Sequence, residues 1–459
     1  MSVTVKDTKL YFIPVEMRVP LKFGNQVLES VTCARAQVTV ESNGGKTAAG
    51  WGETPLSVGW VWPSPIDYEE RHAAMKDFTL LLANELSGFN ESGHPMELGH
   101  DFINGKLESL RETFNQGRTA DAALPHLASL VCFSLFDIAV HDAFGKLHNV
   151  ETYQSYNEEF MNRDLGDYLS TDDGNISFAG KYPIDYFVSS APKKLPVWHL
   201  VGGLDPISED QLTGDEPDDG YPVLLRDWIQ KDGLDCLKIK LRGNDAEWDY
   251  LRLKQIGKVS KEEKVNWLTT DFNCTVTEPD YVNEILDKLI VDDPATYQKI
   301  LYVEQPFPYD LEANQIDVRS VSARKPLFMD ESAHDWKFVK MGRELGWTGV
   351  ALKTCKTQTG ALLSFCWAKA HGMTLMVQDL TNPMIAQIPH FLLAANVGTI
   401  MGIESNAMQF YPAASLPEQA IHPGLYQRQQ GMLDGSTLSG PGFGYRIDEI
   451  ERELPEPLA

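Results

Sequence analysis

Basic residues are scarce in this chain: 40 Lys and Arg face 65 Asp and Glu, a formal net charge of −25. A surface of that sign repels nucleic acid and anionic membranes, both of which are bound through clustered basic groups. A small anionic substrate would need local positive charge at its site. Cysteine is sparse as well. Cys33, Cys132, Cys236, Cys274, Cys355 and Cys366 are scattered with no CxxC pair, which disfavours a disulfide frame or zinc site and fits reduced thiols. No run approaches the roughly 18 apolar residues of a membrane span. The N-terminal "MSVTVKDTKLYFIPVEMRVP" lacks both the apolar core and the small-residue cleavage pattern of a secretory signal. A cytoplasmic setting is expected, with neither nucleic acid nor membrane as partner.

What the chain does have is ordinary globular composition, 43% hydrophobic and 23% charged over 459 residues, enough for more than one domain. Residues 1–150 read as an α+β domain. The runs "LESVTCARAQVTVES" and "TAAGWGETPL" flank the hairpin signal "NGGK", and "ALPHLASLVCFSLFDIAVHDAFGKLHN" has helical spacing. Residues 151–193 are rich in turn formers and read as a linker or insertion. From 194 to 404 short apolar runs recur: "PVWHLV", "CLKIKL", "VNWLTTDF", "ILYVEQ", "PLFMDES", "GVALKT", "MTLMVQ" and "TIMGIES". Eight such strands, separated by helix-length stretches, fit a (β/α)8 barrel. A doubly wound open sheet is the competing fold, though no glycine-rich phosphate loop supports it. Residues 405–459 form a tail expected to return to the first domain.

The middle runs end in residues that are odd for a plain core. Lys238 and Lys240 end the second, Asp271 the third, Glu304 the fourth, Asp330 the fifth and Lys353 the sixth. One strand-end carboxylate is more often a turn former or a helix cap. In consecutive strands the pattern is harder to dismiss, because barrel function gathers at the C-terminal strand ends. Closing the ring would bring three carboxylates together, and they would repel unless a cation joined them. Oxygen-only ligation suits Mg²⁺, or else Mn²⁺.

These residues resemble the enolase superfamily, in particular its muconate lactonizing enzyme subgroup. The resemblance rests on "KIK" (238–240), "DFN" (271–273), "VEQP" (303–306), "MDES" (329–332) and "LK" (352–353), in the family's order. It extends to "LKFGNQVLESV", "GWGETPL" and "FDIAVHDAFGKL", and leaves out 151–193. It implies an α/β protein, a (β/α)8-type barrel under an N-terminal α+β capping domain, and a homo-oligomer. Asp271, Glu304 and Asp330 are then the Mg²⁺ ligands. Lys240 and Lys353 are the opposing acid/base pair, Lys238 assists, and Asn273 and Glu331 stand behind them. The implied reaction is removal of the proton beside a substrate carboxylate, giving an ene-diolate that the metal and Lys238 stabilise. For Lys240 to act as a base near neutral pH its pKa must fall, and its neighbours push in both directions.

The sequence departs from the subgroup in places. "VQDLTNP" puts Asn382, with Asp379 nearby, where many members carry a Glu. "KTCKTQTG" leaves Lys356 as a second, weaker candidate for the base. His371 falls before the seventh strand and reads as structural, which disfavours a histidine base and with it the enolase-type and acid-sugar-dehydratase readings. Lid loops are expected at "VEMRVPLKF" and "PLSVGWVWPS". There Trp60 and Trp62 are candidates to line an apolar pocket or to pack the domain junction; Arg18 or Lys22 is a candidate to meet a distal anion, although a solvated surface charge is the commoner fate of such residues. A racemase or epimerase leads, because two opposed lysines suit 1,1-proton transfer on a small carboxylic acid. A dehydratase, an o-succinylbenzoate-synthase-like lyase or a cycloisomerase follows, and a non-catalytic binding barrel is the alternative of another class.

Overall fold

Alternating runs of β-formers build the first layer. In the computed structural model, which describes residues 1–459, β1 (Val3–Phe23), β2 (Gln26–Ser42) and β3 (Thr47–Pro55) form an antiparallel sheet in that order. The hairpin closes where expected: Ser42 N–H donates to Lys46 O, and Gly45 turns with φ +77°. Helices α1 (Tyr68–Ser87) and α2 (His126–His148) complete this domain. A Cβ at Gly50 would lie 2.2 Å from Ala139 O, and one at Gly52 2.0 Å from Leu135 O. Glycine in β3 is therefore what lets α2 seat directly on the sheet.

One expectation needs correction here. By length and composition α2 matches a membrane span, with mean hydropathy 1.6 over a window that is wholly buried inside the protein. Asp137, His141 and Asp142 break its apolar run, so counting uninterrupted residues passes over it. The helix is a core element of the fold.

The eight expected strands all form: β4 (Lys194–Val201), β5 (Cys236–Lys240), β6 (Trp267–Asp271), β7 (Ile300–Glu304), β8 (Leu327–Met329), β9 (Gly349–Leu352), β10 (Thr374–Val377) and β11 (Ile403–Glu404). Each pairs in parallel with the next from β4 to β10, and β11 returns to pair with β4. Ile400 N–H donates to Leu375 O at 2.8 Å, linking the approach to β11 with β10. Sequential order with return to the first strand is barrel topology, which excludes the doubly wound sheet. Trp198, Cys236, Tyr302, Phe328 and Met376 plug the interior, with the Tyr302 and Phe328 rings stacked at 4.2 Å.

Residues 151–193 form only short 3₁₀ turns, at 152–155, 165–167 and 183–185. Even so, Tyr153, Tyr156, Leu165 and Phe178 are buried in the barrel's core cluster, so the segment is a strap. It crosses α3 (Gln358–Ala370), where Trp367 Nε1 donates to Ser170 O at 3.0 Å. His371 stacks on Trp367 at 3.7 Å and meets Thr171 Oγ1 at 2.8 Å, a structural position. The C-terminal tail adds β12 (Met432–Asp434) antiparallel to β4 and then reaches the first domain, where Leu458 N–H donates to Leu10 O at 2.9 Å.

Further contacts fix the domains to each other. Asp137 of α2 accepts from Thr359 N–H and Thr359 Oγ1, both at 2.8 Å, and burial pushes its carboxyl up to about 6. Farther out, the second half of β1 runs over the barrel mouth and is latched. Arg18 Nε and Nη2 donate to Asp219 at 2.6 and 2.8 Å, and Nη1 donates to Pro222 O at 3.2 Å. The guanidinium expected to meet a substrate anion is thus spent on the 202–224 loop. The stem of Lys22 lies against Gly203, just past the end of β4, and Lys22 does not line the cavity at the mouth.

Asp137 gives a pH signature. A carboxyl raised in the folded state stabilises most below its unfolded pKa, and that contribution is lost as pH climbs through about 6. Asp137→Asn removes the charging cost, so its stability relative to wild type should rise by about 2–3 kcal/mol between pH 4.5 and 7.5. Denaturant unfolding at several pH values measures this, and a flat difference would refute it. For the latch, Arg18→Ala should cost less than about 1 kcal/mol globally, because Asp219 is partly exposed. It should nevertheless speed amide exchange across residues 15–23 and 202–224.

Candidate active site

Parallel register sets the site. Lys240 pairs with Asp271 and Asp271 with Glu304, so three charged residues stand level at the ends of β5, β6 and β7. Asp330 follows β8 and Lys353 follows β9. Lys238 and Lys240, two apart on one strand, both point inward. The Lys238 ammonium donates to Glu304 Oε1 at 2.6 Å and Glu404 Oε2 at 2.8 Å, with Asp271 Oδ2 at 3.2 Å. Lys240 Nζ lies 2.5 Å from Asp271 Oδ2. Lys353 Nζ sits 3.0 Å from both Asp330 Oδ2 and Asp379 O. Asn273 donates from its backbone to Asp271 at 2.8 Å and from its side chain to Glu331 at 3.2 Å.

Lys356 donates to the Asp330 carbonyl and stands 3.4 Å from its carboxylate. It does not line the cavity that Lys238, Lys240 and Lys353 share. Of the other expected binding residues, Trp60 and Asp379 line that cavity and Trp62 and Asn382 do not. Trp62 Nε1 donates to Asp121 O at 3.3 Å, within the first domain. The Asn382 carboxamide accepts from Leu380 N–H at 3.1 Å and donates to Ala386 O at 3.3 Å, which shapes its own loop.

Glu404, at the end of β11, escaped the sequence reading. Its signal was the one used for the other strands, a carboxylate closing an apolar run. Gln378, just past β10, donates to Glu304 Oε2 at 2.5 Å. Being neutral, it left no comparable mark.

Charge is the site's dominant feature. Four ammonium groups (Lys238, Lys240, Lys353, Lys356) face six carboxylates (Asp271, Glu304, Asp330, Glu331, Asp379, Glu404), none more than 7% exposed. Two negative charges are in excess, and the carboxyls register it. Burial and the neighbouring Asp271 push Glu304 well up. Burial, Asp330 and Asp271 push Glu331 to about 7, and burial and Glu404 push Asp379 to about 6. Asp271 stays low despite burial, because Lys240 and Lys238 adjoin it.

An excess of two charges on hard oxygen donors from adjacent strands fits a divalent cation of the Mg²⁺ type. In this arrangement, however, no three of the carboxylates are spaced to hold a metal ion among themselves. The Lys238 ammonium stands among Asp271, Glu304 and Glu404 instead. Above the floor, aromatic rings from the first domain cover the two outer lysines. Trp60 lies 4.9 Å from Lys353 Nζ and Phe23 5.8 Å from Lys240 Nζ.

Residues 222–451 match the family described as enolase C-terminal domain-like. No curated protein matches the chain. Among solved structures, an N-succinyl Arg/Lys racemase from Bacillus cereus is similar, with a TM-score of 0.61 at 16% identity over 99% of this chain and 100% of that one. A dipeptide epimerase from Enterococcus faecalis, complexed with Mg and the dipeptide L-Leu-L-Tyr, gives 0.61 at 17% identity over 96% and 99%. A muconate lactonizing enzyme from Mucobacterium smegmatis, complexed with muconolactone, gives 0.60 at 15% over 96% of each chain. At such identities the likeness shows the fold; the family match covers half of this chain, including all the strand-end residues. The chain belongs to the enolase superfamily, with a C-terminal domain of the mandelate racemase and muconate lactonizing enzyme kind.

Proposed function

We propose that the chain is a Mg²⁺-dependent racemase or epimerase that exchanges the proton on the carbon beside a substrate carboxylate. One observation carries this reading: Lys240 and Lys353 end the second and sixth of eight barrel strands, opposite each other, and both line one cavity. Removing a proton from one face and returning one to the other needs an acid/base group on each. Asp330 beside Lys353 outweighs burial and raises its pKa, so Lys353 holds a proton to give. Lys238, fixed between Glu304 and Glu404, supplies permanent positive charge where negative charge develops on the substrate. Asp271, Glu304 and Asp330 would hold the Mg²⁺, which when bound neutralises the substrate carboxylate and lowers the cost of charging it further. The similar fold of Mg-complexed dipeptide epimerases supports this assignment.

A lyase or cycloisomerase is the second reading. It is favoured by the same Asp330–Lys353 contact, because a lysine held charged can serve as an electrostatic partner alone. Small carboxylic acids incubated in D2O with Mg²⁺ separate the two. Deuterium entering at the α-carbon with the epimer as the only product supports epimerisation, whereas elimination or ring closure without the epimer overturns it. Lys240→Ala and Lys353→Ala should each slow exchange by about 10²–10⁴-fold, and for opposite enantiomers. Chelation should abolish exchange and Mg²⁺ restore it. If both variants, folded by circular dichroism, exchange at the wild-type rate, the two lysines are not the acid/base pair and this reading falls; if the wild-type protein exchanges none of the acids, the non-catalytic barrel replaces it.

A further inference from the structure

We infer that the acid accepted by this site carries an uncharged, apolar substituent on its α-carbon, packed beneath Met17, Leu21, Phe23, Leu28, Val31 and Trp60. The inference rests on the proposed proton exchange and goes further, to the class of molecule.

The cavity is two-sided. Its floor holds every charged group that lines it: Lys238, Lys240, Lys353, Asp330, Asp379 and Glu404. Its roof, contributed by the first domain, is apolar apart from Ser57. The nearest cations on that domain are turned elsewhere by strand geometry. Leu21 and Phe23 line the cavity, so Lys22 between them points to the other side of β1, where its stem packs on Gly203 of the loop after β4. Arg18 is held by Asp219 and the Pro222 carbonyl. A carboxylate at the far end of a substituent would be buried with no partner.

A distal ammonium fares no better. The carboxylates that line the cavity lie on the floor, at the strand ends, and are already engaged. Asp379 Oδ2 accepts from Asn382 N–H at 3.1 Å and Asn406 N–H at 2.9 Å. Glu404 accepts from Asn406 Nδ2 and from Lys238, both at 2.8 Å. Burying an unpaired charge is the strongest discriminator a closed site has. With the roof latched, the cavity is only about 40 Å³. Apolar surface therefore has to be displaced by apolar surface as the substituent enters.

Two matched sets of acids test this with the Mg²⁺-loaded protein in D2O. One set is N-pentanoyl-, N-succinyl- and N-(4-aminobutanoyl)-alanine; the other is N-acetyl-norleucine, N-acetyl-glutamate and N-acetyl-ornithine. Within each set length is nearly constant and only the terminal charge changes, so the result does not depend on which α-substituent lies under the roof. The neutral member of at least one set should exchange its α-proton with kcat/KM at least about tenfold above both charged members. A charged member equal or better in both sets overturns the inference while leaving the exchange chemistry standing.

Thermal shift with the same acids reads binding alone. Exchange with none of them counts against the proposed reaction; preferential binding of the neutral acids would then still support the inference. Equal binding of neutral and charged acids, or no binding of any, overturns it. Leu21→Lys, with folding checked by circular dichroism, should move the preference toward N-succinyl-alanine or N-acetyl-glutamate by about tenfold. An unchanged preference in that folded variant removes Leu21 from the roof assignment.

Discussion

Everything at the barrel mouth depends on pairing charges that no solvent reaches. Lys238 alone bridges carboxylates from three strands: Asp271 on β6, Glu304 on β7 and Glu404 on β11. Removing ions from water is costly, and only close opposite charges with completed hydrogen bonds offset it. The protein meets that demand by making the supporting groups polar as well. Gln378 donates to Glu304. Gln305 Oε1 accepts from Asp330 N–H at 2.8 Å and from Ser332 Oγ at 2.7 Å, fixing the loop that carries Asp330. Beneath them the aromatic plug closes the floor, and low polarizability there strengthens each pair above it. Such a cluster is weak evidence of stability; its value is a field fixed in advance where a substrate's charge will change.

That constraint explains why the first domain is attached so firmly. A site that works by fixed charge must exclude water, so the roof has to meet the floor in a defined position. Asp137 and Thr359 join α2 to α3. A second buried junction runs from Arg35 on β2 to Glu53 on β3 at 2.5 Å and to Glu418 of the C-terminal tail at 3.3 Å. These anchors lie in buried surroundings, whereas the Arg18–Asp219 latch is partly open to solvent. The structure thus separates a rigid attachment from a contact that solvent can compete for, and the second one sits over the mouth.

Much of this was legible in the sequence because strand ends carry their own label. A Lys, Asp or Glu closing a four- or five-residue apolar run is visible without coordinates, and Lys238, Lys240, Asp271, Glu304, Asp330 and Lys353 all read that way. Glu404 carried the same label, in a run whose observed strand is just Ile403–Glu404. What stayed hidden depends on partners far along the chain. That Arg18 turns to Asp219, 201 residues away, cannot be read from either segment. Nor can the path of 151–193, whose turn-rich composition describes a loop but in which Tyr153, Tyr156 and Tyr168 are core residues. Asn382 and Trp62 sit in expected places in the chain, yet other hydrogen bonds claim their side chains, within its own loop for Asn382 and to Asp121, 59 residues on, for Trp62.

The two opposed lysines are not equivalent, and the asymmetry is electrostatic. Lys353 lies against Asp330, under the face of Trp60, and its ammonium is favoured despite burial. Lys240 shares Asp271 with Lys238, so one carboxylate answers two ammonium groups. Lys238 in turn leans chiefly on Glu304 and Glu404, at 2.6 and 2.8 Å, which leaves Lys240 the nearer claim on Asp271. Yet Lys353 has competition of its own, since Lys356 also reaches Asp330. The balance between the two faces is therefore set by how Asp271 and Asp330 divide their charge. Both opposed lysines therefore depend on a carboxylate that a second ammonium also contacts, Lys238 at Asp271 and Lys356 at Asp330, and that shared arrangement, more than either lysine alone, ties the two sides of the site together.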